Sequence, residues 1–237
     1  MIKAYQVGGC IRDRLLGLVS KDIDYAVEAP SYSAMIDWIK SNGGKIYLEK
    51  PEFLTVRAHL PDGEPADYVL CRKDGSYSDG RRPDMVEPGS LIDDLSRRDF
   101  TMNAIAFDEA TGRYIDPFDG QYHLTNRIIK CVGQPEDRFS EDALRMLRAI
   151  RFMITKNMIL SNKIIDCLRD PKLLKLLREN ISMDRKREEI GKCFKFSTIK
   201  TFKTLNMISR DNSTGLLTDI FDAPTGKIWL MPTSKEP

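Results

Sequence analysis

Histidine is nearly absent from these 237 residues. The two present, His59 and His123, lie in different segments, neither followed by Asp and neither with a second His or Cys at ligand spacing. That scarcity argues against a zinc centre and removes phosphohydrolase sites built on His-Asp pairs. Cysteine is sparse too: Cys10, Cys71, Cys131, Cys167 and Cys193 are odd in number, far apart and never in a C-x-x-C pair. A disulfide framework is not expected, and a reducing compartment fits better. No apolar stretch approaches the roughly 20 residues a membrane span needs, and the opening MIKAYQVGG lacks the form of a signal peptide. With 15 Gly, 12 Pro and 30% charged residues, the composition also excludes collagen-like and low-complexity chains. A soluble, cytoplasmic protein of one large or two small domains is expected.

What is present is charge, unevenly divided. Residues 1–144 carry 18 Lys+Arg against 25 Asp+Glu, a net of −7, whereas residues 145–210 carry 17 against 6, a net of +11. An acidic half able to hold cations, joined to a basic half able to hold phosphates, suggests a nucleic-acid enzyme; the plainer alternative is a helical half with solvated Lys/Arg faces.

The first half reads as strands alternating with helices. Strands are expected over Ala4–Val7, Ile23–Val27, Phe53–Leu60 and Ala66–Leu70, with Pro61-Asp62-Gly63-Glu64 turning between the last two. Helices are expected over Ile11–Leu16 and over Tyr32–Lys40, the latter capped by Ser31 or Ser33. Asp74–Pro88 reads as a mobile loop. From Ser140 the pattern turns helical, unbroken to Phe152, then over Ser161–Arg169, Lys172–Asn180, Asp184–Phe194 and Thr198–Ile208. Asp211–Gly215 reads as a polar break, and the segment around Trp229 as an apolar tail packing back onto the body. The division expected is a head over 1–135, a helical neck over 136–210 and a short tail over 211–237.

Two features of the head carry chemistry. Gly8-Gly9 falls between a strand and a helix, where the backbone can approach a phosphate and Arg12 adds positive character. Asp22-Ile23-Asp24 places two carboxylates on one face of a strand, because side chains alternate there with period two. Two carboxylates beside a phosphate cradle are what hard Mg²⁺ ions require.

The order Gly8-Gly9-x-x-Arg12-Asp13-x-Leu-Leu-Gly17, then Asp22-x-Asp24, resembles the head signature of class II tRNA nucleotidyltransferases. These are the CCA-adding enzymes and, as close relatives, bacterial poly(A) polymerases, within the polymerase-β-like nucleotidyltransferase superfamily. The resemblance continues through Tyr77-x-Asp79-Gly80-Arg81-Arg82-Pro83 and through Asp94-Leu-Ser-Arg97-Arg98-Asp99-Phe100-Thr101-Met-Asn103-Ala104. It goes on through Asp116-Pro-Phe-Asp-Gly120 and Glu141-Asp142-x-x-Arg145-x-x-Arg148-x-x-Arg151-Phe152, and more weakly through Met183–Phe194. It implies an α+β polymerase-β-like head with a small mixed sheet, followed by an all-helical neck. The implied reaction is two-metal, template-independent transfer of CMP and AMP from CTP and ATP to the 3′ end of tRNA.

The resemblance implies roles residue by residue. Asp22 and Asp24 are the Mg²⁺ ligands, and Gly8, Gly9, Arg12 and Arg98 hold the triphosphate. Asp99 lies near the ribose with Asn103 close by. Asp142 and Arg145, three apart on a helix and so neighbours on one face, form a protein template: Arg donates to cytosine O2 and N3, and Asp accepts from its N4 amino group. Without the resemblance that pair would be an ordinary surface salt bridge. Arg148 can join the nucleotide site. Arg151 drifts to the opposite side of the helix, where a phosphate contact and a neck salt bridge are both open. Asp67 occupies a strand position suited to a third carboxylate that helps deprotonate the attacking 3′-hydroxyl, or is a plain strand-edge Asp. Cys10 reads as packing.

The pattern also departs from the family. Members are usually longer, with body and tail domains that hold the tRNA, and the Lys45–Val56 region lacks the basic signature of the poly(A) polymerase branch. CCA addition is the expectation, with poly(A) synthesis, partial CC- or A-addition and an inactive RNA-binding module as alternatives. The sequence does not fix an oligomeric state.

Overall fold

The computed structural model describes residues 2–20, 23–75, 85–209 and 215–221. Asp22, the Tyr77–Pro83 motif, most of the expected polar break and the Trp229 segment lie outside the described residues. The chain divides into two compact units, one holding the described residues up to Gly133 and the other beginning at Gln134.

The first unit is built on strands β1 (Lys3–Val7), β2 (Ile23–Glu28), β3 (Lys45–Lys50), β4 (Thr55–His59), β5 (Pro65–Leu70), β6 (Arg72–Asp74), β7 (Val86–Pro88), β8 (Ala106–Asp108) and β9 (Arg113–Ile115). Seven of them form one mixed sheet in the order β3-β4-β5-β2-β1-β8-β9, while β6 and β7 pair separately. Only β2 and β5 run parallel, with Asp24 opposite Asp67 and Ala26 opposite Val69; the other pairings are antiparallel. The β6–β7 ladder occupies both ends of the segment expected to be a loop.

Alternation along the strands sends two sets of apolar side chains to opposite faces. Tyr25, Val27, Val56, Ala58, Ala66, Tyr68 and Leu70 pack under Met35 and Ile39 of helix α2 (Tyr32–Ser41). The Ser31 hydroxyl caps that helix by accepting the Ala34 N–H at 3.1 Å. Tyr5, Val7, Ala26, Ala104 and Ala106 pack on the other face under Leu91 and Leu95 of helix α3 (Leu91–Ser96). Each fully buried Val, Leu, Ile or Met among them contributes about 1.5–3 kcal/mol. Asp24 and Asp67 fall on this second face, in register with Val7 and with each other.

Helices α1 (Gly9–Leu15) and α4 (Gly120–Thr125) complete the first unit. Asp116 accepts the backbone N–H groups of Gly120 and Gln121 at 2.7 and 2.8 Å, which makes the Asp116–Gly120 motif a helix-start device.

The second unit is helical: α5 (Pro135–Glu141), α6 (Leu144–Thr155), α7 (Asn162–Cys167), α8 (Pro171–Asn180), α9 (Met183–Phe196), α10 (Thr198–Ile208) and α11 (Leu216–Phe221). Its core includes Met146, Leu147, Ile150, Leu177 and Ile190, each 0% exposed. The expectation of one helix running unbroken from Ser140 to Phe152 is corrected here. Asp142 ends α5 with φ −149° and ψ 102°, and α6 begins only at Leu144. All five cysteines are free thiols and all are buried. Among the described residues no helix is long and apolar enough to cross a membrane.

Gly120 has no room for a side chain. A Cβ there would collide with the Thr101 carbonyl oxygen and stand 2.7 Å from Ile105 Cγ1. Backbone cannot rotate away, so Gly120→Ala is expected to cost about 1–3 kcal/mol, the usual range for overpacking. A fall of several degrees in the thermal midpoint checks this; an unchanged midpoint would show that the α4 start yields freely.

Candidate active site

Gly8 leaves β1 with φ 76° and ψ −130°, a conformation that suits glycine, and heads α1. A Cβ on it would stand 3.0 Å from Arg98 Nη1 and 3.4 Å from Asp24 Oδ2. The bare backbone of the Gly8-Gly9 turn therefore lies directly against a guanidinium and a carboxylate brought from two other elements. Gly9 continues the close approach, its ideal Cβ position being 3.6 Å from Arg12 Nη2.

Arg12 is buried, its Nε donating to Asp13 Oδ1 and its Nη1 to Asn103 Oδ1, both at 2.8 Å. Asn103 Nδ2 in turn donates to Asp99 Oδ1 at 2.9 Å, and that same oxygen accepts the Phe100 N–H. The Asn103 carbonyl receives Arg98 Nη1 at 3.2 Å. Arg12, Arg98, Asp99 and Asn103, all expected at the site, thus form one hydrogen-bonded group centred on Asn103.

The anchor of that group is Asp94, which the sequence reading did not single out. Its side chain is 1% exposed; one carboxylate oxygen accepts from Arg97, and the other accepts Arg98 Nη2 at 2.8 Å and Nε at 3.2 Å. Burial works to raise the Asp94 pKa, but the Arg98 and Arg97 guanidiniums outweigh it and hold the carboxyl below its ordinary value. Burial likewise works to lower the Arg98 pKa, and Asp94, with Asp24 and Asp99 adding, keeps it raised. The available signal was the four-residue spacing of Asp94 and Arg98, a spacing that brings side chains together across the end of a helix.

Asp67 lies one strand from Asp24, about 4.8 Å across the sheet. Its Oδ1 is 3.0 Å from Arg57 Nε, and Arg57 is its register partner on β4. Carboxylate oxygens on adjacent strands are the hard donors that a divalent cation takes, so Asp24 and Asp67 suit such an ion in kind. Among the described residues, which leave out Asp22, no group of three or more His, Cys, Asp or Glu gathers closely enough to hold one.

In the helical unit the expected pairing is not the one observed. With Asp142 outside both helices, it does not share a helix face with Arg145. Arg145 Nη1 instead donates to Glu141 Oε2 at 2.6 Å and to the Arg138 carbonyl. Asp142 Oδ1 accepts the Leu144 N–H at 3.0 Å, and its Oδ2 lies 3.4 Å from Arg185 Nη2 on α9. Arg185 was not foreseen, since no local spacing signals a contact across 43 residues. The Arg148 guanidinium lies 5.6 Å from the centre of the Phe152 ring, and Arg151 Nε is 2.7 Å from Glu189 Oε2 on α9. Of the two roles left open for Arg151, the neck ion pair is formed.

A glycine turn against an arginine and a strand carboxylate, on a mixed sheet, defines a nucleotidyltransferase head of the polymerase-β-like kind. The chain belongs to the poly A polymerase head domain family, which it matches over residues 4–130. It is 47% identical over 151 residues to the CCA-adding enzyme of Ligilactobacillus salivarius (strain UCC118), covering 63% of this chain and 36% of that protein. The solved Bacillus stearothermophilus CCA-adding enzyme in complex with CTP matches with a TM-score of 0.75 at 34% identity, over 91% of this chain and 49% of that one. A tRNA nucleotidyltransferase complexed with a primer tRNA and an incoming ATP analog matches with a TM-score of 0.73 at 30% identity, over 93% and 60%. The chain therefore spans about a third of the length of the curated relatives it matches.

Asp94→Asn leaves two arginines facing a neutral group in a buried site, and removing one partner of a buried pair costs about 3–5 kcal/mol. Because the folded Asp94 pKa is depressed, its contribution is complete above the ordinary carboxylate range, about pH 4, and is lost as pH falls through the lower folded value. Urea unfolding of wild type and Asp94→Asn is expected to differ fully at pH 7 and to converge toward strong acid. A gap of constant size at every pH would remove the carboxylate charge as its source.

Proposed function

We propose that this chain is the head and helical neck of a template-independent tRNA nucleotidyltransferase that adds CMP and AMP, from CTP and ATP, to the tRNA 3′ end. The observation that carries this reading is the seating of Arg98 against the Gly8 backbone and beside Asp24. It supports a triphosphate grip immediately next to a strand carboxylate. The Gly8-Gly9 turn, Arg12 and Arg98 bind the triphosphate, since a guanidinium grips phosphate oxygens in bidentate fashion. Asp99, aligned by Asn103, accepts from the ribose.

Asp22 and Asp24 would hold Mg²⁺, which when bound supplies charge neutralisation for the leaving pyrophosphate and a lowered pKa for the attacking hydroxyl. Asp67 accepts the proton of that 3′-hydroxyl. Asp142 and Arg145 select the base by accepting from an amino group and donating to ring acceptors, and Arg148 supports them. The division into head, neck and tail at residues 135 and 210, with the basic neck as the RNA-binding part, belongs to the same proposal. So does a cytoplasmic setting, where the substrates are made.

Incubating the purified chain with tRNA ending at the discriminator base, and with labelled CTP and ATP separately and together, tests the reading. CTP-dependent growth by two nucleotides followed by one ATP-dependent addition is expected; open-ended ATP growth would instead assign poly(A) synthesis. Asp24→Ala is expected to abolish extension while sparing tRNA affinity. Arg145→Ala is expected to lose discrimination against UTP and GTP by about ten-fold or more, given about 1–3 kcal/mol per good base contact pair. Equal loss of kcat/KM for all four nucleotides would reduce Arg145 to a structural partner of Glu141.

A further inference from the structure

Glu28 ends β2 on the same face as Asp24 and Ala26, the face that α3 covers. Its Oε1 accepts the Leu91 N–H, in the first turn of α3, at 2.6 Å, and its Oε2 accepts the Tyr5 hydroxyl at 3.2 Å. We propose that Glu28 is a positioning residue for nucleotide binding: it sets where α3 stands along β2, and so where Arg98 meets Asp24. This inference rests on the reading of Arg98 as the triphosphate grip and adds the group that fixes its place along the strand.

Apolar packing alone leaves α3 free to slide. Leu91 and Leu95 rest on Ala26, Ala104 and Ala106 beside Val7 and Tyr5. Methyl side chains make a shallow platform, and apolar burial has no preferred direction along it. The capping box between Ser90 and Asp93 shapes the helix start, but both partners belong to the helix segment and do not place it on the sheet. The hydrogen bond from Leu91 to Glu28 is directional and charge-assisted, and it joins the helix to β2. Tyr5 steadies the carboxylate from β1. Burial, with the Glu28 charge adding, pushes the Tyr5 hydroxyl pKa up to about 12, so it remains a donor at neutral pH.

The lengths of strand and helix also match. Asp24 and Glu28 stand about 13 Å apart along β2. Leu91 and Arg98 stand about 10 Å apart along the helical path, which the Arg98 N–H continues by donating to the Leu95 carbonyl. A helix pinned by Leu91 at Glu28 therefore runs back along β2 and delivers Arg98 to the level of Asp24. The tolerance there is small, because the space above Gly8 leaves 3.0 Å to Arg98 Nη1 and 3.4 Å to Asp24 Oδ2. A slide of α3 moves the guanidinium against both partners at once, and a misplacement of about 1 Å is enough to rob a positioned group of much of its effect.

Calorimetric binding of CTP and of inorganic tripolyphosphate to the intact chain tests this with three substitutions. Glu28→Ala removes the tie, Glu28→Asp keeps the charge on a side chain one methylene shorter, and Glu28→Gln keeps an acceptor of the original length. Glu28→Ala and Glu28→Asp are expected to weaken both ligands alike, roughly ten-fold, in keeping with loss of a hydrogen bond to a charged group. Glu28→Gln is expected to stay within about three-fold of wild type, since its amide oxygen accepts the same N–H. In an Arg98→Lys background, which keeps a cation for Asp94 but lacks the planar fork, Glu28→Ala is expected to add little, because the two residues act as a unit. A general loss of folding would not spare Glu28→Gln and would add in full to Arg98→Lys. Undiminished binding by Glu28→Ala, equal losses in Glu28→Gln and Glu28→Ala, or full additivity with Arg98→Lys overturns the proposal while leaving the grip in place. Wild type that binds neither ligand overturns the grip reading, and this proposal with it.

Discussion

The buried carboxylate of Asp94, shared between Arg97 and Arg98, is the interaction on which the site depends. A guanidinium on a long side chain loses considerable rotamer entropy when fixed. Here the fixing is done before any nucleotide arrives, by a short helix whose start is set by a reciprocal capping box between Ser90 and Asp93. Leu91 and Leu95 hold that helix on the sheet, so the position of Arg98 follows from packing on Tyr5, Val7 and Ala26. The guanidinium proposed to grip phosphate is thus positioned by the hydrophobic core beneath it.

The sheet order gives the same site its direction. Asp24 sits on β2, an interior strand with β1 on one side and β5 on the other. Neither neighbour can shift without breaking a ladder of backbone hydrogen bonds, so the Gly8 turn and Asp67 keep their sides relative to Asp24. The proposed transfer requires a fixed separation between a leaving group and an attacking group, and the strand order is suited to it.

Much of this was legible in the sequence because it is local. The Gly8-Gly9 turn, the strand of Asp24 and the Arg98-Asp99 segment are each specified by residues within a few positions, and helix Thr198–Ile208 has the bounds its pattern implied. What was not legible is non-local or weakly patterned. β3 is exposed at five of its six positions, so Lys45–Lys50 offers no apolar alternation to read. β8 and β9 have three residues each, too short for a period. The break at Asp142 escaped notice because neither Gly nor Pro marks it; the carboxylate itself ends the helix by turning to the Leu144 N–H and to Arg185. The partner of Asp67 was likewise hidden, since Arg57 reaches it only through the register of two antiparallel strands.

The five free thiols are spread over both units, two of them with pKa pushed up to about 12 by burial: Cys167, with Glu136 and Asp170 adding, and Cys193. A buried thiol is shielded from alkylating reagents. The native chain therefore carries five silent chemical reporters, each of which is unmasked only when the segment around it opens. Cys10, Cys71 and Cys131 lie in the sheet-based unit and Cys167 and Cys193 in the helical one, so the order in which they become labelled in rising denaturant would time the opening of one unit against the other, with no probe added to the molecule.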